Sequence, residues 1–467
     1  MAFIKELLSL SNKYDTCVAF EEMNGVTKTY RELYEDVVCY GNYLSKDSHQ
    51  RIAILGGTSY QWLCHAYGAI VAGKTVVVAD PLLPIDDIVS LLTYTDVEEV
   101  FVDEEDKKLR AGIEEKGIVY RTYVQAQEEL CDEHLQQDGD MIFFTSGTSG
   151  KAKGVVLPFA AEYENAKRFE KAVATGMDLK EDMKMYTPLP FYHIYATTMT
   201  LVFLYKGKTI CLGNPRRILQ EIPYFKPAVF VMVSTMAEYL LKSGILDENA
   251  KLFAVAGAKC EKSLQIEAAK HGMMVQNFYG ASETAGAIAA SIPGQDVERM
   301  LPVDGVQVFS ENGDEIAIAT CGHMTEYYKN PEATQEVMQN GKIYLGDVGQ
   351  FFEDGMFSPI GRKQDVIAMK NGNKLYCNEL DEELSVIEGI KEACVIYVDG
   401  KVIATVVPSE MDNDIVKKNI KAYNKKQPYF RKIDEIWFRE ESLPRTSIGK
   451  LKRKQVTEEY KSKNQEE

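Results

Sequence analysis

Between residues 51 and 102, short β-rich runs alternate with segments of helical period, a rhythm that few folds accommodate. Residues 51–56 (RIAILG) read as a strand buried on both faces. Residues 58–72 follow with Trp62, Leu63, Ala66, Tyr67, Ile70 and Val71 at helical spacing. Residues 75–79 (TVVVA) are a strand again, and a helical segment at 84–94 leads to a strand at 98–102. The same β-rich runs recur at 184–190, 208–212, 228–233 and 252–256. This predicts an α/β protein with a largely parallel sheet. At 467 residues the chain has room for roughly three folding units and can bury large cores without disulfide or metal staples.

Past residue 300 the texture changes to short strands separated by turn signals, as at 311–314 (ENGD) and 353–355 (EDG). From about residue 365 the pattern predicts a small α+β unit. It comprises a helix at 379–387, strands at 392–398 and 401–407, a helix at 413–426, a strand at 434–439, a basic loop and a final helix. The expected organisation is a large N-terminal α/β domain over 1–361, a hinge at 362–364 and a small mobile C-terminal domain over 365–467. No Pro/Gly/Ser linker, repeat or low-complexity tract interrupts it.

Net charge is −17, which argues against non-specific nucleic-acid binding and against docking on anionic membranes. It does not argue against an anionic small ligand, because local lysines override a global sign. No stretch reaches 18 apolar residues and the start carries no signal-peptide pattern, so a cytoplasmic protein without a membrane span is expected. Nine scattered cysteines with no CxxC pair suit reduced thiols better than a disulfide framework or a zinc site.

Two glycine-rich stretches compete as phosphate sites. Gly68–Thr75 (GAIVAGKT) fits the GxxxxGK[ST] pattern letter for letter, but here a helix ends and a strand begins. A phosphate loop needs the reverse order, with helix N-terminal amides facing the phosphates, so Gly73 reads as a helix C-cap. The second stretch is Thr145-Ser146-Gly147-Thr148-Ser149-Gly150-Lys151-Ala152-Lys153-Gly154, directly after the strand-like 141–144 (MIFF). Its glycines let backbone amides turn onto an anion, and its hydroxyls and two lysines add donors and charge. A triphosphate site is the better reading of this second loop.

That loop resembles the TSGTTGxPKG signature of the adenylate-forming (AMP-binding) superfamily, with Ala152 where proline is usual. The resemblance continues through 28–33 (KTYREL), 189–195 (LPFYHIY), 256–258 (AGA), 277–284 (NFYGASET), 327–334 (YYKNPEAT), Gly346-Asp347, Gly361-Arg362 and 444–450 (PRTSIGK). It implies a ligase of the acyl-CoA synthetase type. ATP and Mg²⁺ would convert a carboxylic acid to an acyl-adenylate, and a thiol, most often that of coenzyme A, would then displace AMP.

Roles follow from the same resemblance. The 145–154 loop would cradle the β- and γ-phosphates. Glu283 would hold Mg²⁺, and Lys450 would reach the acyl carboxylate and the α-phosphate together. Asp347 would accept from the ribose hydroxyls with Arg362 beside it. Tyr279 would stack on adenine, Gly257 and Ala258 would line the adenine slot, and Gly280 and Ser282 belong to the same nucleotide motif. His193 would gate or orient the acyl group. Asn371-Gly372 would border the pantetheine tunnel, and Gln364 replaces the charged residue usual at the pivot.

The spacing from Asp365 to Glu379 resembles that of fatty-acyl ligases, and the apolar run 194–204 points the same way, toward a fatty or other apolar acid. The basic stretch 417–432 is either a solvated helix face or a landing patch for CoA phosphates or an acidic carrier protein. Three rivals stand beside the CoA ligase: a ligase loading a separate acyl carrier protein, an inactive nucleotide- or acyl-binding sensor, and a phosphate-loop ATPase built on Gly68–Thr75.

Overall fold

The alternation at 51–102 folds into side-by-side parallel strands. A computed structural model describes residues 2–123, 128–146, 152–180, 182–368, 374–409, 413–445 and 451–465. In it Arg51–Leu55 pairs in parallel with Thr75–Val78 and with Glu99–Val102, and the helices Tyr60–Val71 and Ile85–Tyr94 connect them. Asp140–Ser146 adds a further parallel strand beside Thr75–Val78. Ala152–Pro158 then returns antiparallel to it, followed by the short Glu326–Tyr327 strand. The strand interiors are β-branched or small and fully buried, Ile52, Ala53, Ile54, Val76 and Val77 among them. That burial is what a sheet covered on both faces demands.

A second sheet forms from the later runs. Val18–Glu22, Thr209–Leu212, Lys184–Thr187, Val229–Met232, Leu252–Val255 and Met274–Ala281 lie side by side in that order, all parallel. Gly286–Ser291 and Met300–Pro302 continue it antiparallel. The helix Ile194–Tyr205 is buried along nearly its whole length, so its apolar run is what a core helix requires and carries no information about a ligand.

The Gly68–Thr75 stretch is the end of a helix, as its order in the sequence predicts. Gly73 sits at φ +75°, the Gly73 amide donates to the Ile70 carbonyl, and the Lys74 amide donates to the Ala69 carbonyl. This pair of bonds is a Schellman cap. The buried Lys74 ammonium donates to the Asp47 carbonyl at 2.6 Å, leaving this lysine committed to structure.

The chain divides into two compact units, residues 1–308 with 318–343, and residues 309–317 with 344–467. In the second, the strands Lys342–Phe351 and Phe357–Arg362 pair antiparallel. Further on, Ile390–Val398 and Lys401–Pro408 form a hairpin whose turn residues Asp399 and Gly400 both have positive φ, as a type I′ turn requires. Glu435–Phe438 adds a parallel third strand. One face of this sheet packs the helices Cys377–Ser385 and Asn413–Asn424 through Leu380, Leu384, Val416 and Ile420. The other packs the final helix Arg453–Gln465 through Val456 and Tyr460. The first of these helices spans Cys377–Ser385, two residues ahead of the expected 379–387, and the Cys377 side chain is part of the core. All nine cysteines are free, and among the described residues no helix is long and apolar enough to cross a membrane.

Candidate functional site

Thr145 and Lys153, at the two ends of the glycine-rich loop, are cross-strand partners in the first sheet. Residues Gly147, Thr148, Ser149, Gly150 and Lys151 lie outside the described residues, as does the Ser146 side chain. The Lys153 ammonium sits 4.8 Å from the centre of the Tyr327 ring. At that distance the ring quadrupole attracts the cation. Tyr327 is delivered by its own short strand, in register with Val155. Its hydroxyl donates to Oε1 of Glu283 at 2.6 Å, a charge-assisted bond. Lys153, Tyr327 and Glu283 thus form one contact chain that joins the base of the loop to a buried carboxylate.

The backbone around Glu283 is tightly specified. Ser282–Thr284 is a single 3₁₀ turn between the strands Met274–Ala281 and Gly286–Ser291. The Ala281 amide donates to the Thr284 hydroxyl, which in turn donates to the Gly286 carbonyl. A register break between Tyr279 and Gly280 bends the strand into this turn. Gly280 is obligatory there, since a Cβ would lie 2.1 Å from the Gly286 carbonyl oxygen. Glu283 is 8% exposed, and its carboxylate supplies the hard oxygen donors that Mg²⁺ takes.

The remaining first-unit candidates gather at the carboxyl ends of parallel strands, where open α/β sheets bind ligands. Gly257, at φ +81°, and Ala258 follow the strand Leu252–Val255 and are exposed. The neighbouring strand is aligned Val255 to Asn277, so Tyr279 and Gly280 lie just beyond the same end. Tyr279 is half-buried and Gly280 exposed. His193 follows the strand Lys184–Thr187 and occupies the N-cap position of the helix Ile194–Tyr205, its ring 4.6 Å from that of Tyr192. Burial, and then Asp80, push the Tyr192 hydroxyl well above the usual phenol range.

In the second unit Asp347 and Arg362 are direct cross-strand partners. The Arg362 Nε lies 3.0 Å from Oδ1 of Asp347, and its Nη1 donates to the Leu345 carbonyl at 2.5 Å. The guanidinium fork therefore orients the carboxylate of Asp347, whose side chain is 13% exposed. Lys450, Asn371 and Gly372 lie outside the described residues. The chain on either side of Lys450 is pinned by an Arg445–Leu451 bridge and by the Lys452 amide donating to the Pro444 carbonyl. Next to it, the half-buried Arg453 bonds Asp381 at 2.6 Å, the Val395 carbonyl at 2.6 Å and Asp365 at 3.2 Å. Two members of the basic stretch are engaged within the unit: Arg431 pairs with Glu379 and Glu383 at 2.7 Å each, and the exposed Lys417 pairs with Asp414 at 2.9 Å. Lys417, Lys418, Lys421, Lys425, Lys426 and Lys432 remain exposed.

Two residues of this arrangement carry no assigned role in the sequence reading. Tyr327 stood in a matched motif but is defined as a partner of Glu283 only by the fold. Asn165, described below, sits mid-helix with nothing in the sequence to mark it.

With this geometry stands a family match: residues 11–327 fit the family of AMP-binding enzymes, and the chain belongs to that family. Among curated relatives, the 2-succinylbenzoate–CoA ligase of Listeria monocytogenes serovar 1/2a is 26% identical, over 98% of this chain and 99% of its own length. The long-chain-fatty-acid–CoA ligase of Yersinia pestis is 24% identical over 73% of this chain, and the match spans 66% of that relative, just short of two thirds. Among solved structures, o-succinylbenzoate CoA synthetase from Bacillus subtilis, in complex with the acyl-adenylate intermediate OSB-AMP, superposes with a TM-score of 0.80. It is 19% identical, with 96% of this chain and 97% of that one covered. ATP-bound MatB from Rhodopseudomonas palustris gives a TM-score of 0.79 at 21% identity, with 99% of each chain covered. These likenesses establish the shared fold, a mixed α/β architecture of the adenylate-forming type.

Proposed function

We propose that this chain is an AMP-forming acid–CoA ligase. A substrate carboxylate attacks the α-phosphorus of ATP, a new C(O)O–P bond forms, the α–β phosphoanhydride bond breaks and pyrophosphate leaves. The CoA thiol, giving up its proton, then attacks the acyl carbon, and the C–O bond to AMP breaks to leave a thioester. The observation that carries the reading is the contact chain from Lys153 through Tyr327 to Glu283. It puts a cation and a buried carboxylate at the base of a glycine-rich loop, as a magnesium triphosphate requires. Mg²⁺, when bound at Glu283, would offset charge on the phosphate oxygens. Lys153, Thr145 and the 147–151 loop residues bind the phosphates, and Tyr327 holds the Glu283 carboxylate in one orientation. Asp347, oriented by Arg362, accepts from the ribose hydroxyls. Tyr279, Gly257 and Ala258 receive the adenine, with Gly280 and Ser282 shaping the turn beside it. Lys450 neutralises the meeting of two anions, and His193 orients the acid.

The acid is read as fatty or otherwise apolar, which the Asp365–Glu379 spacing supports. A 2-succinylbenzoate-type aromatic acid is the second reading, favoured by the near end-to-end match to such a ligase. The test follows AMP and pyrophosphate release from ATP and Mg²⁺ over fatty, aryl and amino acids and 2-succinylbenzoate, with and without CoA. An acyl-CoA seen by mass with one class establishes activity and substrate together. Pyrophosphate without acyl-CoA replaces CoA by a carrier protein, and ADP in place of AMP refutes the ligase. Lys450→Ala should abolish adenylation yet spare transfer from pre-made acyl-AMP; normal adenylation by that variant would refute the role given to Lys450.

A further inference from the structure

Glu283 is held by more than its own hydrogen bond. The turn that carries it ends at Ala285, a non-glycine residue at φ +56°, in the left-handed region that a Cβ disfavours. Backbone in such a state persists only where its surroundings over-determine it. Asn165 supplies that surrounding from outside the turn. Its side chain is fully buried, and its Nδ2 donates to the Ala285 carbonyl at 2.8 Å and to the Ala287 carbonyl at 2.9 Å. Both amide protons are therefore spent on the segment directly downstream of Glu283.

The same helix supports the other side of the turn. A Cβ on Gly322 would lie 3.1 Å from the Ala161 carbonyl and 3.7 Å from Asn165 Cβ, so the chain there runs against the helix. Two residues further on, the Met324 amide donates to the Glu283 carbonyl at 2.9 Å. Asn165 belongs to the helix Phe159–Glu170, which follows without a break from the strand Ala152–Pro158 carrying Lys153. One continuous stretch thus reaches Glu283 twice, at Lys153 by way of Tyr327 and at Asn165 by way of residues 285–287.

From this geometry we infer that Asn165 is a positioning residue for the magnesium-binding carboxylate, holding the turn of Glu283 in register with the strand that leads from the phosphate loop. This rests on the reading of Glu283 given under Proposed function. Asn165 touches neither substrate nor reacting atoms, so it acts on rate only through where the Glu283 carboxylate stands. Groups hydrogen-bonded directly to a metal-binding side chain change metal affinity by about 10- to 100-fold when removed, and Asn165, which bonds the backbone next to that residue, belongs at the low end of that range. Loss of the two donors should raise the Mg²⁺ concentration for half-maximal rate about tenfold. The KM for the acid should stay unchanged, and excess Mg²⁺ should restore the rate.

The test uses Asn165→Asp, which keeps the shape and lacks the donors, and Asn165→Ala, each alone and combined with Glu283→Gln. Pyrophosphate release is titrated with Mg²⁺, and Tm is measured alongside. The expected result is a shifted Mg²⁺ titration that excess Mg²⁺ rescues, with no further shift in the Glu283→Gln background. A lowered Tm with an unchanged Mg²⁺ titration overturns the inference, as does an equal shift in the Glu283→Gln background. If the unmodified chain releases no pyrophosphate with any acid, the activity reading is what fails. Backbone amide exchange then decides the positioning claim: Asn165→Asp should speed exchange over residues 283–288 while 152–158 stay protected, and unchanged protection overturns it.

Discussion

Lys74→Met separates the two glycine-rich stretches by one substitution. If Gly68–Thr75 were a phosphate loop, Lys74 would be its phosphate-binding lysine, and its loss would abolish ATP turnover. In the structure the Lys74 ammonium is 4% exposed and donates to the Asp47 carbonyl at 2.6 Å, just past the end of the helix Tyr30–Ser45. A hydrogen bond from a charged group contributes about 1.5–3 kcal/mol. Methionine keeps the aliphatic body and escapes the desolvation of an ammonium, so the expected net loss is about 1–2 kcal/mol. For a unit of this size, at about 2.1 cal/mol/K per residue, that lowers Tm by about 1.5–3 °C. The assay is pyrophosphate release at a temperature well below the lowered Tm, with circular dichroism confirming a folded chain. The rate should stay within about twofold of the unmodified protein, since no catalytic contact is touched. A folded Lys74→Met chain that has lost ATP turnover would refute the assignment of the phosphates to the 145–154 loop.

Tyr327→Phe keeps the ring beneath Lys153 but removes the hydroxyl from Glu283. The Mg²⁺ requirement for pyrophosphate release should rise about tenfold while the affinity for the acid is unchanged, and an unaltered Mg²⁺ titration would refute the contact's role. Glu162 is buried in the helix Phe159–Glu170, and desolvation raises its carboxyl to about 8. The folded state therefore holds this proton while the unfolded chain releases it near the ordinary carboxyl value. The stabilisation is complete below that value and is lost as pH rises through about 8. Glu162→Gln should accordingly be more stable than the unmodified chain at pH 8 and nearly equal to it at pH 4.5, by urea denaturation; parallel pH profiles would refute this. Arg453→Met leaves the mostly covered Asp381 without its cation, which should cost about 2–4 kcal/mol in the unfolding of the second unit, below the full cost for a completely buried pair. Urea denaturation followed at Trp437 reads it, and a loss under about 1 kcal/mol would show that the pair is not coupled.

Much of this protein was settled by local pattern. Strand and helix periods placed the elements at 51–102 to within about two residues, and the β-rich runs at 184–256 each contain a strand, because a covered parallel strand must be continuously apolar and a connecting helix must repeat at 3.6 residues. The order of helix before strand was enough to dismiss Gly68–Thr75, and the Schellman cap at Gly73 is the physical form of that order. The ordered set of motifs was likewise enough to indicate the AMP-binding family. What one-dimensional pattern could not supply is which side chains meet across the fold. Tyr327 and Glu283 are 44 residues apart, and Asn165 reaches carbonyls 120 and 122 positions away. Neither contact has a spacing signature, because each is produced by sheet register and by a helix laid across it. The apolar run at 194–204 failed as a substrate signal for the same reason: whether an apolar helix lines a pocket or fills a core depends on what packs around it. Chemistry by residue type was legible in the sequence; the hydrogen bonds and burial that hold each residue in place were decided by tertiary packing alone.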